Sequence, residues 1–308
     1  NTDIFSKPGW LQENYFHVAT ALQERHSRFQ LPRMLPTVTN KFWLDLGEMG
    51  AWRLFEYVEN STTILNVQRP EQAYCVAGAF GKLSKDLSGL SPAKLKEVLP
   101  GFHDVSFRFT QLKEAIQQGS GSRLKAAQTV LTGLDQFEYL HQFYCSFKAL
   151  PNLFKKYVLH HDAKISNILF DQSGQQVITP IDMDTTMAGY FFSDMGDMVR
   201  SLVPNLDEND TRLNDLEIQK LNYIAIFEGY HDEVKDYFSS TEIAQLHKSG
   251  MLLLYMQCMR FIADYLNGDV YYQVKHPEHN LQRAQNQLRA LQLLEQFLQY
   301  QFKIRFQS

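Results

Sequence analysis

Cysteine is scarce. Cys75, Cys145 and Cys258 are the only three in 308 residues, and they are far apart, odd in number and without a Cys-x-x-Cys pair. Neither a disulfide framework nor a zinc site follows from that spacing, and a reducing cytoplasm fits best. Long apolar runs are missing too. The longest, around Met251–Met256, is too short to span a bilayer, and no basic-then-apolar signal opens the chain. Nor is there a large excess of one charge: a formal net charge of -4 offers no general attraction to nucleic acid or an anionic membrane, so any phosphate-seeking surface must be local. There is no internal repeat, and the glutamines near the end read as a solvated helix face. The chain opens on Asn1 rather than Met, so its natural start is expected upstream.

What is present is an ordinary globular composition, 44% apolar, in a chain long enough for one large domain or two lobes. Residues 13–26 carry a mixed helical pattern. Lys41–Leu46 and Ala51–Val58 alternate around Gly47-Glu48-Met49-Gly50, which reads as a β-hairpin in a small sheet. Pro70 suits a first helical position, with Tyr74, Ala77, Phe80, Leu83 and Leu87 at helical spacing as far as Gly89. Residues 91–121 hold a loop and a short helix up to a Gly119-Ser120-Gly121 break, and helical patterns resume through Lys148. Beyond Asp197 the pattern is helical: Asp215 can cap a helix running toward Tyr230, residues 241–267 form an apolar helix, and Leu281, Ala284, Leu288, Leu291, Leu294 and Leu298 form a long amphipathic one.

The stretch Leu159–Asp184 carries the chemistry. Asp162 is followed five residues later by Asn167, then by the apolar run Ile168-Leu169-Phe170, a polar turn at Ser173-Gly174 and a second strand ending at Asp182. Any one of these residues alone reads as a turn or strand-end group. In this order they read as catalytic loop, hairpin and metal-holding Asp, because phosphoryl transfer asks the protein mainly for positioning and charge neutralisation. Asp162 would accept the proton of an attacking hydroxyl, and Lys164 could reach the transferred phosphoryl group. The Asn167 amide oxygen and the Asp182 carboxylate would hold magnesium, which prefers hard oxygen ligands. The overall layout is α+β: a small sheet, a connecting segment at Phe55–Asn60 and a helical part bearing the hairpin, as in a two-lobe protein-kinase-like fold. The backbone of Glu56, Tyr57 and Val58 would then be a hinge pairing with the adenine of ATP, although a buried edge strand would show the same residues.

His160-His161-Asp162-Ala163-Lys164-Ile165-Ser166-Asn167 with Ile181-Asp182-Met183-Asp184-Thr185 resembles the aminoglycoside phosphotransferase-like superfamily of small-molecule kinases. Within it, Tyr190 to Arg200, the block Met259 to Tyr271, Pro277 to Leu281 and the opening Asn1-Thr2-Asp3-Ile4-Phe5 resemble the N-acetylhexosamine 1-kinases, so that the likeness covers nearly the whole chain and is weakest over 105–158. The resemblance implies transfer of the ATP γ-phosphate to the anomeric hydroxyl of N-acetylglucosamine or N-acetylgalactosamine. It also implies a partial nucleotide-binding lobe over residues 1–58, with further strands and a phosphate-covering loop upstream of Asn1, and a helical lobe over 59–308. His161 stands where such kinases usually carry Asn or Gly, and Ser166 where a second Asn is common. His160 is expected to be a structural hydrogen-bonding residue, and Asp197 and Arg200 a supporting pair below the metal site.

Arg260 has two readings: a planar donor fork to the sugar, with Tyr271 stacking on or hydrogen-bonding the ring, or a core arginine paired with Asp264 four residues on. Rival functions are a kinase for an aminoglycoside, choline-type or homoserine-type acceptor, and a kinase-like binding protein without activity. The acidic residues at 206–217 read better as a solvated loop than as a site for a cationic substrate, and retention of Asp162, Lys164, Asn167 and Asp182 argues for catalysis.

Overall fold

A computed structural model describes residues 4–304. Asn1, Thr2 and Asp3, part of the opening match, lie outside them. The α+β layout is as expected, with short sheets early and helices dominating afterwards. Helix α1 (Pro8–Glu24) begins on a proline, whose missing N–H costs nothing in a first turn, and precedes strand β1 (Met34–Leu35). Strands β2 (Leu44–Asp45) and β3 (Ala51–Trp52) form the expected hairpin, with Leu44 opposite Trp52 and Asp45 opposite Ala51.

The run predicted as one strand from Ala51 to Val58 is broken. Arg53 leaves the ladder to pair with Asp184, and β4 (Leu54–Phe55) turns to β1 instead. After Phe55 the Glu56 N–H still donates to the Arg33 carbonyl (2.9 Å), but Tyr57 and Val58 belong to no strand. Strand β5 (Ser61–Thr62) then carries the chain into the second part of the molecule by pairing with β7 (Ile168–Asp171).

Helix α2 (Pro70–Asp86) also starts on proline and buries Ala73, Val76, Ala77, Phe80 and Leu83 along one face. It packs against α7 (Lys220–Val234). The expected cap at Asp215 is not used. Asp215 closes a short 3-10 turn, and residues 216–219 stay extended because the Asn205 N–H donates to Glu217 O (3.1 Å) and the Gln219 N–H to Val203 O (2.9 Å), so α7 begins only at Lys220.

Between them come α3 (Val105–Gln118), capped by the Asp104 carboxylate, α4 (Gly121–Asp135), capped by the Ser120 hydroxyl, and α5 (Glu138–Ala149). Strand β6 (Lys156–Leu159) pairs with β9 (Met187–Tyr190), and β7 with β8 (Val177–Pro180). These two antiparallel pairs hold the 160–167 loop and the 181–186 loop side by side. After α6 (Phe192–Leu202) and α8 (Ser240–Gln245), α9 (Ser249–Leu266) runs through the middle of the helical part. It is apolar nearly all round, as a helix surrounded by α3, α4, α6 and α10 (His279–Phe302) must be, and Arg260 is its only residue not fully buried. Among the described residues no helix is long and apolar enough to cross a membrane.

Candidate active site

The loop after β6 is fixed from beneath by α6. Asp194, in the first turn of that helix, is fully buried and accepts from the backbone N–H groups of His160 (3.1 Å) and His161 (2.8 Å). His160 is the structural residue expected: its Nδ1 accepts from the Asp162 N–H (3.3 Å), which leaves Nε2 to donate to the Ile181 carbonyl (2.8 Å). One imidazole thereby ties the Asp162 loop to the Asp182 loop, with Phe80 of α2 edge-on against it. His161 has a left-handed backbone (φ 66°), a conformation that Asn and Gly tolerate better than most residues. Its Nδ1 lies 2.7 Å from the Ser193 hydroxyl, and Gly189 leaves room for the ring, since a Cβ there would fall 2.3 Å from Cε1.

Asp162, Lys164 and Asn167 come together directly. Asp162 Oδ2 accepts from Lys164 Nζ (2.8 Å) and from Asn167 Nδ2 (2.8 Å), and the same amide also donates to the Asp162 carbonyl (2.9 Å). Burial raises the Asp162 carboxyl, but Lys164, with help from His160 and Asn167, outweighs it and holds the group below the ordinary carboxylate value. Asn167 spends its N–H₂ on this contact, which turns its amide oxygen elsewhere.

Asp182 also sits in the left-handed region (φ 59°), and its carboxyl is raised by burial and then by the neighbouring charges of Asp184 and Asp162. Asp184 is paired with Arg53, a residue that the sequence reading missed. They are far apart in the chain, and only the fold joins them. The second terminal nitrogen of Arg53, Nη1, is buried without a partner.

Glu56, Tyr57 and Val58 line a cavity of about 340 Å³ that also takes in Arg53, Asp182 and Asp184. Among the described residues the Val58 N–H has no hydrogen-bond partner, while its carbonyl accepts from Ser61 Oγ (2.6 Å). The hinge candidates and the metal-holding candidate therefore border one space.

Arg260 and Tyr271 line a different cavity, of about 290 Å³, between α3 and α9. The expected pairing of Arg260 with Asp264 does not form. Asp264 is consumed by the loop after α9, accepting from the N–H groups of Val270 (3.0 Å), Tyr271 (2.8 Å) and Tyr272 (3.0 Å) and from Asn280 Nδ2 (2.9 Å). Arg260 instead donates to Gln257 Oε1 (2.9 Å) and lies over the rings of Phe102, Tyr271 and Tyr272. This cavity touches the catalytic loop through a short relay. The Arg260 guanidinium is 5.2 Å from the Phe102 ring, Phe102 stacks on His103 (4.5 Å), and His103 Nδ1 is 3.3 Å from His161 Nδ1.

The expected pair of Asp197 and Arg200 is present behind the loop, with Nε to Oδ1 at 2.9 Å, and Arg200 also reaches Glu208 at 3.1 Å.

A family model for the phosphotransferase enzyme family matches residues 11–217. Among solved structures the chain is similar to an aminoglycoside phosphotransferase from Alicyclobacillus acidocaldarius, with a TM-score of 0.59 and 14% identity over 96% of this chain and 85% of that one. It is also similar to a putative aminoglycoside phosphotransferase from Ralstonia eutropha (TM-score 0.53, 10% identity, 94% and 84% covered). A third likeness is to spectinomycin phosphotransferase in complex with AMP (TM-score 0.52, 11% identity, 92% and 83% covered). At such identities these structures speak for the fold: a small sheet lobe and a larger helical lobe. With the family model covering most of the chain, including the Asp162 loop, the protein belongs to the phosphotransferase enzyme family.

Proposed function

We propose that the protein is an ATP-dependent kinase that phosphorylates the anomeric hydroxyl of an N-acetylhexosamine. The observation that carries this reading is the Asp162 carboxylate, kept ionised by Lys164 and aligned by Asn167, at a loop tied through His160 to Asp182. An ionised carboxylate in that position suits a general base. Asp162 takes the proton of the sugar hydroxyl, whose oxygen forms a bond to the γ-phosphorus as the bond to the β,γ-bridging oxygen breaks, leaving sugar 1-phosphate and ADP. Lys164 can turn from Asp162 to the transferred group. The nucleotide would occupy the 340 Å³ cavity, with adenine against Glu56, Tyr57 and Val58 and phosphates toward Arg53 and Asp182.

The donor set suits magnesium: a neutral amide oxygen from Asn167 and a carboxylate on Asp182 whose proton affinity is raised by burial and then by the negative charges of Asp184 and Asp162. Magnesium held there would neutralise charge on the phosphates. Arg260 and Tyr271 are assigned to the acceptor, Arg260 as a planar fork and Tyr271, 55% exposed, as a ring to stack on the sugar. The nearest rival is a kinase for an aminoglycoside or another amino-alcohol. Incubating the protein with ATP, magnesium and a panel of free sugars and amines, and reading products by mass, decides between them. An N-acetylhexosamine 1-phosphate is expected; phosphorylated amines instead would overturn the acceptor, and no product with any acceptor would favour a binding protein.

A further inference from the structure

The cavity between α3 and α9 holds two cations without a counter-ion. Arg108 comes from the first turn of α3 and Arg260 from α9, and neither forms an ion pair among the described residues. Arg108 donates through Nη1 to Gln111 Oε1 (2.8 Å) and at long range through Nη2 to the Phe102 carbonyl (3.5 Å), while its Nε is buried and unpartnered. Arg260 has one amide acceptor and three aromatic faces. Two carboxylates border the same space. Asp264 has both oxygens committed to four N–H donors, and Glu114 stands exposed at the mouth, ion-paired with neither arginine. Burial and the neighbouring Arg260 together push the Arg108 guanidinium down to about 10, as two like charges in a partly dry site must. His103, the link to the Asp162 loop, is half-buried and held neutral by desolvation and the positive groups around it, so it supplies no compensating charge.

We infer that Arg108 is a second specificity-determining guanidinium of the acceptor cavity, which takes sugars bearing a carbonyl or carboxylate substituent and rejects protonated amino sugars. A carbonyl or carboxylate oxygen supplies the acceptor that Arg108 Nε lacks. An ammonium would add a third positive charge to a site that already holds two. A sugar acid should therefore bind here as well as, or better than, its N-acetyl counterpart. This inference rests on the assignment of the cavity to the acceptor made above, and it adds the charge rule that assignment does not contain.

The test is calorimetric titration of the full chain with N-acetylglucosamine, glucuronate and glucosamine at about pH 6.5, where an α-type amine is protonated. Glucuronate is expected to bind at least as tightly as N-acetylglucosamine, and glucosamine more weakly by on the order of tenfold. Arg108→Gln should narrow the gap between glucuronate and glucosamine by about the same factor, whereas Arg108→Lys should keep the order, because the charge stays. Equal binding of all three sugars, no binding of any, or an unaltered gap between glucuronate and glucosamine in Arg108→Gln would overturn the inference. Should Arg108→Gln fail to fold, the wild-type order and Arg108→Lys decide. If the order holds but no N-acetylhexosamine is phosphorylated, the kinase reading fails and the charge rule stands. If phosphorylation occurs while glucosamine binds equally well, the reverse is true.

Discussion

Asp162 is held on three sides: its N–H by His160, and its carboxylate by Lys164 and Asn167. Asp162→Asn keeps the shape and removes the carboxylate proposed as the base. Turnover should fall by on the order of 10²–10⁴, toward the lower end because an anomeric hydroxyl is more acidic than an ordinary alcohol. Single-turnover kinetics with N-acetylglucosamine check this, and a rate within a few-fold of wild type would remove Asp162 from the role of base. Arg53 carries a second prediction at this scale. With one nitrogen paired to Asp184 and the other buried and unpartnered beside the cavity proposed for the nucleotide, it would donate there to a phosphate oxygen. Arg53→Met should weaken ADP binding by roughly tenfold or more, the worth of a charge-assisted hydrogen bond. Unchanged ADP affinity by calorimetry would leave Arg53 a role in holding Asp184 alone. The contrast between these residues explains what the sequence discloses. Asp162, Lys164 and Asn167 lie within one loop, where spacing translates directly into contact. The pairing of Arg53 with Asp184, and of Asp194 with the His160 and His161 amides, spans elements that only the fold brings together. No local pattern announces either, and the same holds for Arg260, whose helical neighbour Asp264 is claimed by the next loop.

The elements differ in the same way. Helices α2 and α10 are legible because each carries its own apolar period, and α2 also its start signal at Pro70, whereas the helix expected over 241–267 is broken by a 3-10 turn at Leu246–Lys248 into α8 and α9, with no capping side chain to mark where α9 begins. The early strands are two residues each, and their partners are set by tertiary contacts. Thus β4 pairs with β1, and β5 with β7, more than a hundred residues on. The packing of α2 on α7 sets the floor under the active-site loop, because Phe80 of α2 supports His160. At Gly229 of α7 the two helices approach so closely that a Cβ would lie 2.4 Å from the Tyr74 carbonyl oxygen of α2. That neighbour is backbone and cannot swing aside. Gly229→Ala should therefore separate the helices and cost about 1–3 kcal/mol, the usual penalty of overpacking. A denaturant midpoint equal to wild type would mean that the interface yields more freely than its contacts suggest.

Taken as a whole, the molecule buries a good deal of ionisable surface around one loop, and acid should reveal it. Burial pushes the His161 imidazole down from its ordinary value near 6.5 to about 3, and His103 beside it is lowered for the same reason. A base whose folded value is depressed favours the folded state only while it is neutral in both states. Below about pH 6.5 the unfolded chain takes up the proton and the folded one does not, so stability falls as the pH drops through that window. Each such imidazole steepens the fall by about 1.4 kcal/mol per pH unit. Asp194 and Asp197 act in the opposite sense, because burial raises them and protonation then favours the folded state. The two effects overlap, so the total pH curve does not separate them, but a difference curve does. His161→Asn removes the imidazole and suits the left-handed backbone there. The stability of wild type minus that of the variant should decline by about 1.4 kcal/mol for each pH unit between about pH 6 and 4. Urea midpoints at a series of pH values give this difference directly. Parallel curves would show that His161 is free to protonate in the folded protein, and that the wall of the catalytic loop is wetter than its packing implies.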